Sequence, residues 1–531
     1  MSNRFFKLLA ALLGLFRSRG GFNYGLLTVA AVSFLLVVLA PAPQSLVALV
    51  SKPHPLGYRL QPGTETITES LNKVLKTDLT PRRAADKAKV MTAVLFAAAF
   101  LWATEAIPLG ATDLLVGALL YFFAILPFDD IAKAYMKDAV FFIAGVLTIA
   151  VGVNTTGLDR RIGVLLLGRI RSLKGFCFLF LPALAVAAGF FSEHALAAIL
   201  VPILVKIYLI FCEHHKIKAD KALAIMLILG ISFALNQGGP GSPAAGGRNA
   251  VMVGYLQDYG RAPSFAQWVV IGMPYVLLTS LAIGAFMYFA LKRKLNVPQV
   301  DFSQFLRAEL KAMGSMSRQE TLMAAILAGV VALWIVASNQ FGLGGPCVLG
   351  VVLMLIFRII NWKDIQTQVR FDVVGMYAAA CAMGVGLLMT GASLWLAQSI
   401  VNALPASMRQ GGMLVVAVSA FTATLTNFMS DGATVAAIGP VALSMAQIGS
   451  VNLWQVGLAC AFASSFANIT IVGTPNNAIA YVGAVHPQTG QRLLRLRDFV
   501  IYGVPVTVLA SLLLWLWAVF GYWRLIPWLN R

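Results

Sequence analysis

The sequence predicts an all-α polytopic membrane protein with about 11 transmembrane helices. Of its 531 residues, 59% are hydrophobic and 11% are charged, whereas soluble globular chains carry about 25% charged residues. The mean hydropathy is +0.82, and apolar runs of about 20 residues, each able to cross about 30 Å of hydrocarbon, recur from residue 24 onward. These runs lack the alternation of a transmembrane β-barrel, so helices are the expected spanning elements.

The net charge of +19 is interpreted from where the basic residues lie. Most of them fall in the polar segments between apolar runs, which is typical of topology control and of contact with anionic lipid. They are not interleaved with aromatic residues, so nucleic acid is not an expected partner. The five cysteines form no CxxC pair and are expected to be reduced core residues without a disulfide or a metal.

Four segments divide the chain. Residues 1–89 contain a basic leader, a first span near 24–50 and a polar interlude interrupted by prolines; residues 90–295 form a first repeat. A surface connector follows at 296–319, and a second repeat with a C-terminal helix occupies 320–531. No small-residue cleavage site follows the leader, which is therefore interpreted as cytoplasmic rather than as a signal peptide. Basic residues flank the first span on both sides, so absolute topology stays open.

The two repeats carry apolar runs in a similar order. Expected spans lie near residues 90–126, 138–155, 161–190, 195–212, 222–236 and 264–291 in the first repeat, and near 320–337, 343–359, 372–400, 410–427, 433–449, 454–470 and 500–524 in the second. Corresponding broken segments in two halves of a membrane protein point to a transporter's binding site, and opposite insertion of the halves would give an inverted repeat.

One short acidic pattern occurs in each half. The first copy is Ser192-Glu193-His194, and the second is the Ser-Asp-Gly sequence at residues 430–432; a small-residue apolar run follows each. Glycine-rich segments ending in asparagine come later, at residues 238–249 and 473–477. An ionised carboxylate near the centre of a transmembrane helix costs about 2.5–3.5 kcal/mol, so each acid needs a partner, a proton or a cation. The pattern predicts two re-entrant hairpins whose tips meet.

A hairpin tip offers two kinds of ligand. Its backbone N–H groups favour an anion, while carbonyl and hydroxyl oxygens favour a cation. The candidate substrate-binding residues are Ser192, His194, Arg248, Asn249, Ser430, Gly432, Thr474, Pro475 and Asn477. The candidate cation-coupling residues are Glu193, Asp431, Gly241, Ser242, Asn427 and Gly473.

Plainer interpretations exist for several of these residues. Glu193 and Asp431 could simply cap helices that begin at residues 195 and 433, with help from Ser192 and Ser430. His194 could be an ordinary core histidine, or it could protonate near neutral pH. If Arg248 is buried it needs an anionic partner, for which Glu193, Asp431 or a substrate carboxylate could serve; otherwise it could extend to lipid headgroups.

Four motifs together resemble the divalent anion/sodium symporter family of the ion transporter superfamily, over about residues 90–524. They are Trp-x-Thr-Glu-Ala-Ile-Pro at 102–108, Thr-Thr-Gly-Leu at 155–158, Gly-Gly-Pro-Gly-Ser at 238–242 and Gly-Thr-Pro-Asn-Asn at 473–477. The resemblance implies transport of di- or tricarboxylates or sulfate by an elevator mechanism. It also implies a dimeric scaffold, two re-entrant hairpins with Ser-Asn-Thr tips, and two sodium sites.

The tips depart from that family pattern. Glu193 and Asp431 stand where the resemblance expects asparagine, His194 and Gly432 stand where it expects threonine, and Arg248 lies in the first glycine-rich segment. Two added carboxylates would repel a dianion unless they are protonated or paired. The chain is therefore expected to be a secondary transporter of small organic anions in a bacterial inner membrane. Proton-linked transport or exchange is expected in place of ordinary sodium coupling.

Other expectations concern partners and rival functions. The coupling ion is Na⁺ or H⁺, no cofactor is expected, and the partners are a small-molecule substrate, the lipid bilayer and a second copy in a homodimer. A transporter of a cationic or zwitterionic solute stays open, as does a membrane receptor that has lost transport. The sequence shows no nucleophile–base pair, metal-ligand spacing or cofactor loop, so an enzyme is not expected.

Overall fold

The protein is described here by a computed structural model that covers residues 21–53, 65–297, 301–302, 311, 313–487 and 489–529. Within these ranges the chain is helical, and its only β pairing is two isolated bridges. The basic leader, two prolines of the polar interlude (Pro55 and Pro62) and half of the connector at 296–319 lie outside the described residues. The prediction of an all-α polytopic membrane protein is confirmed.

The helices are labelled in chain order. The first half contains α1 Tyr24–Leu39, α2 Gln44–Val50, α3 Ile67–Leu75, α4 Pro81–Thr104, α5 Leu109–Phe122, α6 Phe128–Tyr135, α7 Asp138–Thr156, α8 Leu158–Leu167, α9 Leu173–Ala188, α10 Glu193–His214, α11 Lys221–Gly238, α12 Gly247–Asp258 and α13 Phe265–Leu291. The second half contains α14 Arg318–Phe341, α15 Gly344–Ile356, α16 Trp362–Gln368, α17 Phe371–Thr390, α18 Ala392–Ala403, α19 Gly411–Leu425, α20 Asp431–Ile448, α21 Leu453–Ala463, α22 Pro475–Gly483 and α23 Leu496–Leu513.

Eight helices within the described ranges are long and apolar enough to cross a membrane, or nine if the bent pair α1 and α2 forms one span. Five shorter apolar helices of 10–17 residues accompany them. Because α1 and α2 meet at 68°, the predicted first span near 24–50 is not one straight helix. The shorter helices belong mainly to the broken and paired segments that surround the candidate site.

Four predicted spans prove discontinuous. The run at 90–126 breaks where Glu105 adopts a φ of 48° and Pro108 precedes α5, because proline cannot continue a helix. The run at 372–400 breaks at Gly391, whose φ is 75°. The run at 161–190 divides between α8 and α9, and the run at 454–470 is helical only to Ala463. Hydropathy alone missed these breaks because long apolar stretches on either side dominate the average, although Glu105, Arg169 and Arg171 lie at two of them.

Buried apolar side chains form two large clusters. One includes residues of α9, α10 and α11, the C-terminal end of α13, and residues of α22 and α23. The other joins α2 to α7 with α12, α14, α15 and α17 to α21. Helices α12 and α20 pack against each other and against α17, while α12 also contacts α7 and α20 contacts α4. The first residues of α10, α12 and α20 converge where the two clusters meet.

Candidate functional site

Two turns between helices, residues 189–192 and 426–430, position the acids. They are called the first and second reversal. Helix α9 ends at Ala188 and α10 begins at Glu193; in the second half α19 ends at Leu425 and α20 begins at Asp431. The hydroxyl groups of Ser192 and Ser430 accept hydrogen bonds from the backbone N–H groups two residues after each acid, at 3.3 Å and 3.4 Å. The serines are therefore the N-caps, which confirms their expected part in capping. The acids are the first helical residues, so the helices begin at 193 and 431 rather than at 195 and 433.

Arg248 joins the two reversals. Its Nη1 donates to Glu193 Oε1 at 3.0 Å and also to Asp431 Oδ2. The side chains of Arg248 and Glu193 are 2% and 3% exposed, and that of Asp431 is 14% exposed. Such burial contradicts the alternative in which Arg248 extends to lipid headgroups. At an effective dielectric constant of about 20, opposite charges about 4 Å apart attract by about 4 kcal/mol, which is why this arginine can stay buried.

The glycine-rich segment provides room for the guanidinium group. A Cβ atom added to Gly239 would lie 1.8 Å from Arg248 Nη2, and one added to Gly246 would lie 2.9 Å from Nη1. Two short 3₁₀ turns carry the chain across this region, from residue 239 to residue 245. The irregular segment therefore encloses the Arg248 side chain.

Tyr377 of α17 covers the other side of the site. A Cβ atom on Gly247 would lie 2.1 Å from the Tyr377 ring, and one on Gly432 would lie 2.4 Å from its hydroxyl oxygen. The ion pairs of Arg248 with Glu193 and Asp431 are called the bridge. Each of the two glycines is next in sequence to one of its charged residues. The backbone at the start of α12 and of α20 can approach α17 closely only because neither position has a side chain.

His194 connects the first reversal to the second glycine-rich segment. Its Nδ1 lies 2.8 Å from Asn476 Oδ1, and its Nε2 lies 3.9 Å from Glu193 Oε1. Asn476 Nδ2 in turn donates to Asn236 Oδ1 at 2.9 Å. The His194 side chain is 42% exposed, so it is not an ordinary buried core histidine and reaches from the bridge to an open surface.

Two asparagines hold the chain breaks together. Asn249 Nδ2 donates to the carbonyl oxygens of Gly239 and Ser242, both at 2.7 Å. Asn477 Nδ2 donates to the carbonyl oxygens of Ala467 and Thr470, also at 2.7 Å. These amides serve the backbone of their own segment. Both side chains are fully buried, and their N–H groups already donate to these carbonyl oxygens. Their part in substrate binding stays a prediction.

The other predicted residues lie around these breaks. Asn427 donates to the Ala423 and Phe466 carbonyls and accepts from Ile469 N–H. Ser242 donates to the Gly189 carbonyl. Gly241 lies close to Met273, and Gly473 lies close to Thr426, so a side chain at either glycine would collide with its neighbour. Thr474 is buried, and Pro475 is the first residue of α22.

Sequence reasoning missed three polar residues near the site, Asn236, Tyr377 and Ser465, and expected Asn476 only as one of the polar groups of its segment. Asn476 contacts His194, Asn236 accepts from Asn476, and Tyr377 and Ser465 lie close to glycines of the Arg248 segment. Asn236 could have been found, because it is a polar residue near the C-terminal end of a mostly apolar helix. Tyr377 gave no signal, since one aromatic residue in an apolar helix is usually a core residue.

The bridge contains unmatched polar atoms. Glu193 Oε2, Arg248 Nε, Arg248 Nη2 and Ser465 Oγ are buried without a hydrogen-bond partner in the structure. Asp431 differs, since its Oδ1 accepts from Gly432 N–H at 2.6 Å while Oδ2 faces Arg248. Two carboxylates and one guanidinium leave a formal charge of −1. The arrangement can therefore bind a proton or polar solute, but Arg248 is already neutralised by the two acids.

Comparison with known proteins assigns the family. The sodium:sulfate symporter transmembrane region matches residues 80–529. A protein of Cupriavidus necator named only as a membrane protein is 25% identical over 82% of this chain and 88% of its own. The sodium-dependent dicarboxylate transporter SdcS of Staphylococcus saprophyticus is 24% identical over 76% of this chain and 81% of its own. The sodium-dependent high-affinity dicarboxylate transporter 3 of Caenorhabditis elegans is 25% identical over 72% of this chain and 75% of its own length.

The family match spans most of the chain and includes both reversals and both glycine-rich segments. It agrees with the family resemblance expected from the four sequence motifs and with a multi-pass membrane protein. All five cysteines are free and buried, as predicted. This chain belongs to the sodium:sulfate symporter family, which is also known as the divalent anion/sodium symporter family.

Proposed function

We propose that this protein is a secondary active transporter of small organic anions of the di- or tricarboxylate type, driven by protons or by exchange rather than by ordinary sodium coupling. Family membership supports transport, and two relatives are named as sodium-dependent dicarboxylate transporters. The Arg248 bridge between Glu193 and Asp431 is the observation that favours a coupling mechanism different from theirs.

The physical reason is the fixed positive charge. Two buried carboxylates near each other would normally attract a cation from solution. Here the Arg248 guanidinium lies between them and bonds to both. A covalently attached cation cannot be exchanged with the solvent during transport. Arg248 therefore neutralises one of the two acids without a sodium ion, and a proton or a second substrate anion is the better candidate for coupling through the one charge that is left.

We further propose that the fold moves as an elevator, with α9–α13 and α19–α23 as the mobile part and a dimer of the remaining helices as its support. In support, α12 and α20 pack on α4, α7 and α17, and Tyr377 fits against Gly247 and Gly432 at this boundary. An apolar cavity of about 830 Å³ is lined by residues of α1, α4, α18, α19 and α20. Such a cavity leaves space for one group of helices to slide along the other.

Uptake of radiolabelled succinate into proteoliposomes tests the function. Four conditions separate the mechanisms: an inward sodium gradient, an inward proton gradient, unlabelled succinate inside, and no gradient. We expect uptake with a proton gradient or internal succinate and no stimulation by sodium. Strict sodium dependence without any pH response would refute the coupling proposal. Protein-free vesicles are the control for leakage.

A second candidate is a transporter of a zwitterionic or cationic solute. The formal charge of −1 at the bridge favours it, because a dicarboxylate dianion would meet net negative charge. Thermal-shift measurements with succinate, an amino acid and a diamine distinguish the two. Stabilisation by succinate supports the first proposal, whereas stabilisation by amines alone would replace it.

A further inference from the structure

We infer that the Glu193–Arg248–Asp431 bridge is a proton-binding site, and that Glu193 Oε2 carries the proton. This inference rests on the proposed function only where it links the proton to an anion. The proton assignment itself follows from the charges and contacts of the bridge, and it can be tested without transport.

The first step is the number of charges. The bridge contains two acids and one guanidinium within ion-pair distance of each other. The titratable neighbours are His194 on α10, whose Nε2 is 3.9 Å from Glu193, and Tyr377 on α17, which packs against the adjoining glycines. Among the described residues, no further lysine or arginine forms an ion pair with either acid. A neutral His194 and Tyr377 leave one excess negative charge in a buried site, which is costly unless a proton neutralises it.

The second step decides which acid takes the proton. Asp431 has an N–H donor at each carboxylate oxygen, Gly432 N at Oδ1 and Arg248 Nη1 at Oδ2. Hydrogen bonds from N–H donors favour the ionised form of a carboxyl group. Glu193 has one donor, at Oε1, and its Oε2 is buried without a partner. The free oxygen of Glu193 is therefore the position where a proton displaces no existing hydrogen bond.

The third step is access. Glu193 is 2% exposed, but the adjacent His194 side chain is 42% exposed and lies 3.9 Å from it. His194 Nδ1 contacts Asn476 Oδ1, so proton exchange is assigned to Nε2, which can pass a proton to Glu193 when water or a small rotation completes the contact. His194 is thus a positioning and relay residue between the open surface and Glu193.

The consequence is a link between proton and substrate. When Glu193 is protonated the bridge is neutral, and an anion meets no net repulsion. When Glu193 is ionised the bridge carries −1 and repels the same anion. Proton and anion therefore favour each other's binding, by reciprocity. The dissociation constant of the anion should rise about tenfold per pH unit once Glu193 loses its proton.

Infrared difference spectroscopy of the purified full chain tests the proton assignment. The C=O stretch of a protonated carboxyl group is followed from about pH 5 to about pH 8. We expect a band whose frequency shifts in Glu193→Asp and stays unchanged in Asp431→Glu. Asp113 and Asp159 also have an unpartnered buried oxygen, but Glu193→Asp leaves any band of theirs in place. A shift in Asp431→Glu, or no carboxyl band that responds to Glu193→Asp, would overturn the assignment.

Calorimetry with succinate tests the link. Titrations in two buffers of different ionisation enthalpy give the number of protons taken up per anion, which we expect to approach about one and to vanish in Glu193→Gln. Succinate binding without proton uptake would overturn the link. If succinate does not bind at all while the band still shifts in Glu193→Asp, the substrate proposal fails and the proton site stands.

Discussion

The two glycine-rich segments share a backbone framework and differ in charge. Asn249 and Asn477 each bond to the carbonyl oxygens of the residues ten and seven positions earlier. The hydroxyl groups of Ser242 and Thr470 also occupy matching places, since each donates to the residue three positions before its reversal's serine. One residue before the asparagine, however, the first segment has Arg248 and the second has Asn476.

This difference separates two tasks. Neutral amide and hydroxyl groups fold each segment, because they can satisfy buried carbonyl groups without introducing charge. The residue just before the asparagine decides whether the segment presents a charged or a neutral side chain to the two reversals. Arg248 binds both acids, whereas Asn476 binds the exposed His194 and the buried Asn236. The first segment therefore holds the charged centre, and the second holds its connection to the surface.

The largest effect is expected from removing the charge that the first segment alone supplies. Arg248→Met leaves two buried acids unpaired and should lower the free energy of unfolding by about 3–5 kcal/mol. Unfolding in detergent, followed by tryptophan fluorescence, measures the loss. The exposed Arg293 is the matched control, and Arg293→Met should change stability by less than about 0.5 kcal/mol.

A triple variant examines the cause of that loss. Adding Glu193→Gln and Asp431→Asn to Arg248→Met removes the unpaired charges, so much of the lost stability should return. If the triple variant is no more stable than the single variant, the side-chain volume of Arg248 rather than its charge supports the site.

The second prediction compares the two framework asparagines. Asn477→Ala leaves two carbonyl groups without their side-chain donor and also removes the acceptor of the Ser232 hydroxyl, at 2.7 Å. Asn249→Ala leaves only two carbonyl groups without their donor, because Asn249 Oδ1 has no partner. We expect losses of about 3 kcal/mol for Asn477→Ala and about 2 kcal/mol for Asn249→Ala. The same unfolding assay measures both. A larger loss for Asn249→Ala would contradict this assignment of hydrogen bonds to the two asparagines.

The third prediction concerns the glycines that face Tyr377. Gly247→Ala places a Cβ atom 2.1 Å from the ring and should cost about 1–3 kcal/mol by overpacking. Tyr377→Leu should relieve part of this cost in the double variant. Gly329, which has nothing within 4 Å of an added Cβ atom, is the control, and Gly329→Ala should be neutral or stabilising. Equal losses at Gly247 and Gly329 would disprove a close contact with α17.

Much of the site could be predicted because charge is conspicuous in an apolar chain. Glu193, Asp431 and Arg248 each interrupt an apolar or glycine-rich run, so each signals either a partner or a function. Their mutual pairing was one of the alternatives left open, and the sequence could not select it. Arg248 is 55 residues from Glu193 and 183 from Asp431, and only the tertiary fold selects these two acids over a substrate carboxylate.

Other features lacked a local signal. Helix breaks at Glu105 and Gly391 depend on left-handed backbone conformations, and the long apolar stretches around them hide both breaks from a hydropathy average. Tyr377 is one of many aromatic residues in apolar helices, and its importance appears only when Gly247 and Gly432 are seen to face it. Asn476 lies beside the predicted Asn477, but only the structure shows that the two amides point to different partners.

The smallest effect on stability is expected at the tip residue that distinguishes the two reversals. His194→Gly makes the first tip resemble the second, where Gly432 occupies the matching position. The variant loses one hydrogen bond to Asn476 at a partly exposed site, so the free energy of unfolding should fall by no more than about 1.5 kcal/mol. Its proton kinetics should change far more, because the proposed relay between the open surface and Glu193 is gone. After a pH jump, the Glu193 carboxyl band should respond at least about tenfold more slowly, while its final amplitude stays close to that of the unmodified protein. An unchanged rate would mean that water reaches Glu193 by another path, and the exposed histidine would then serve only to bind Asn476.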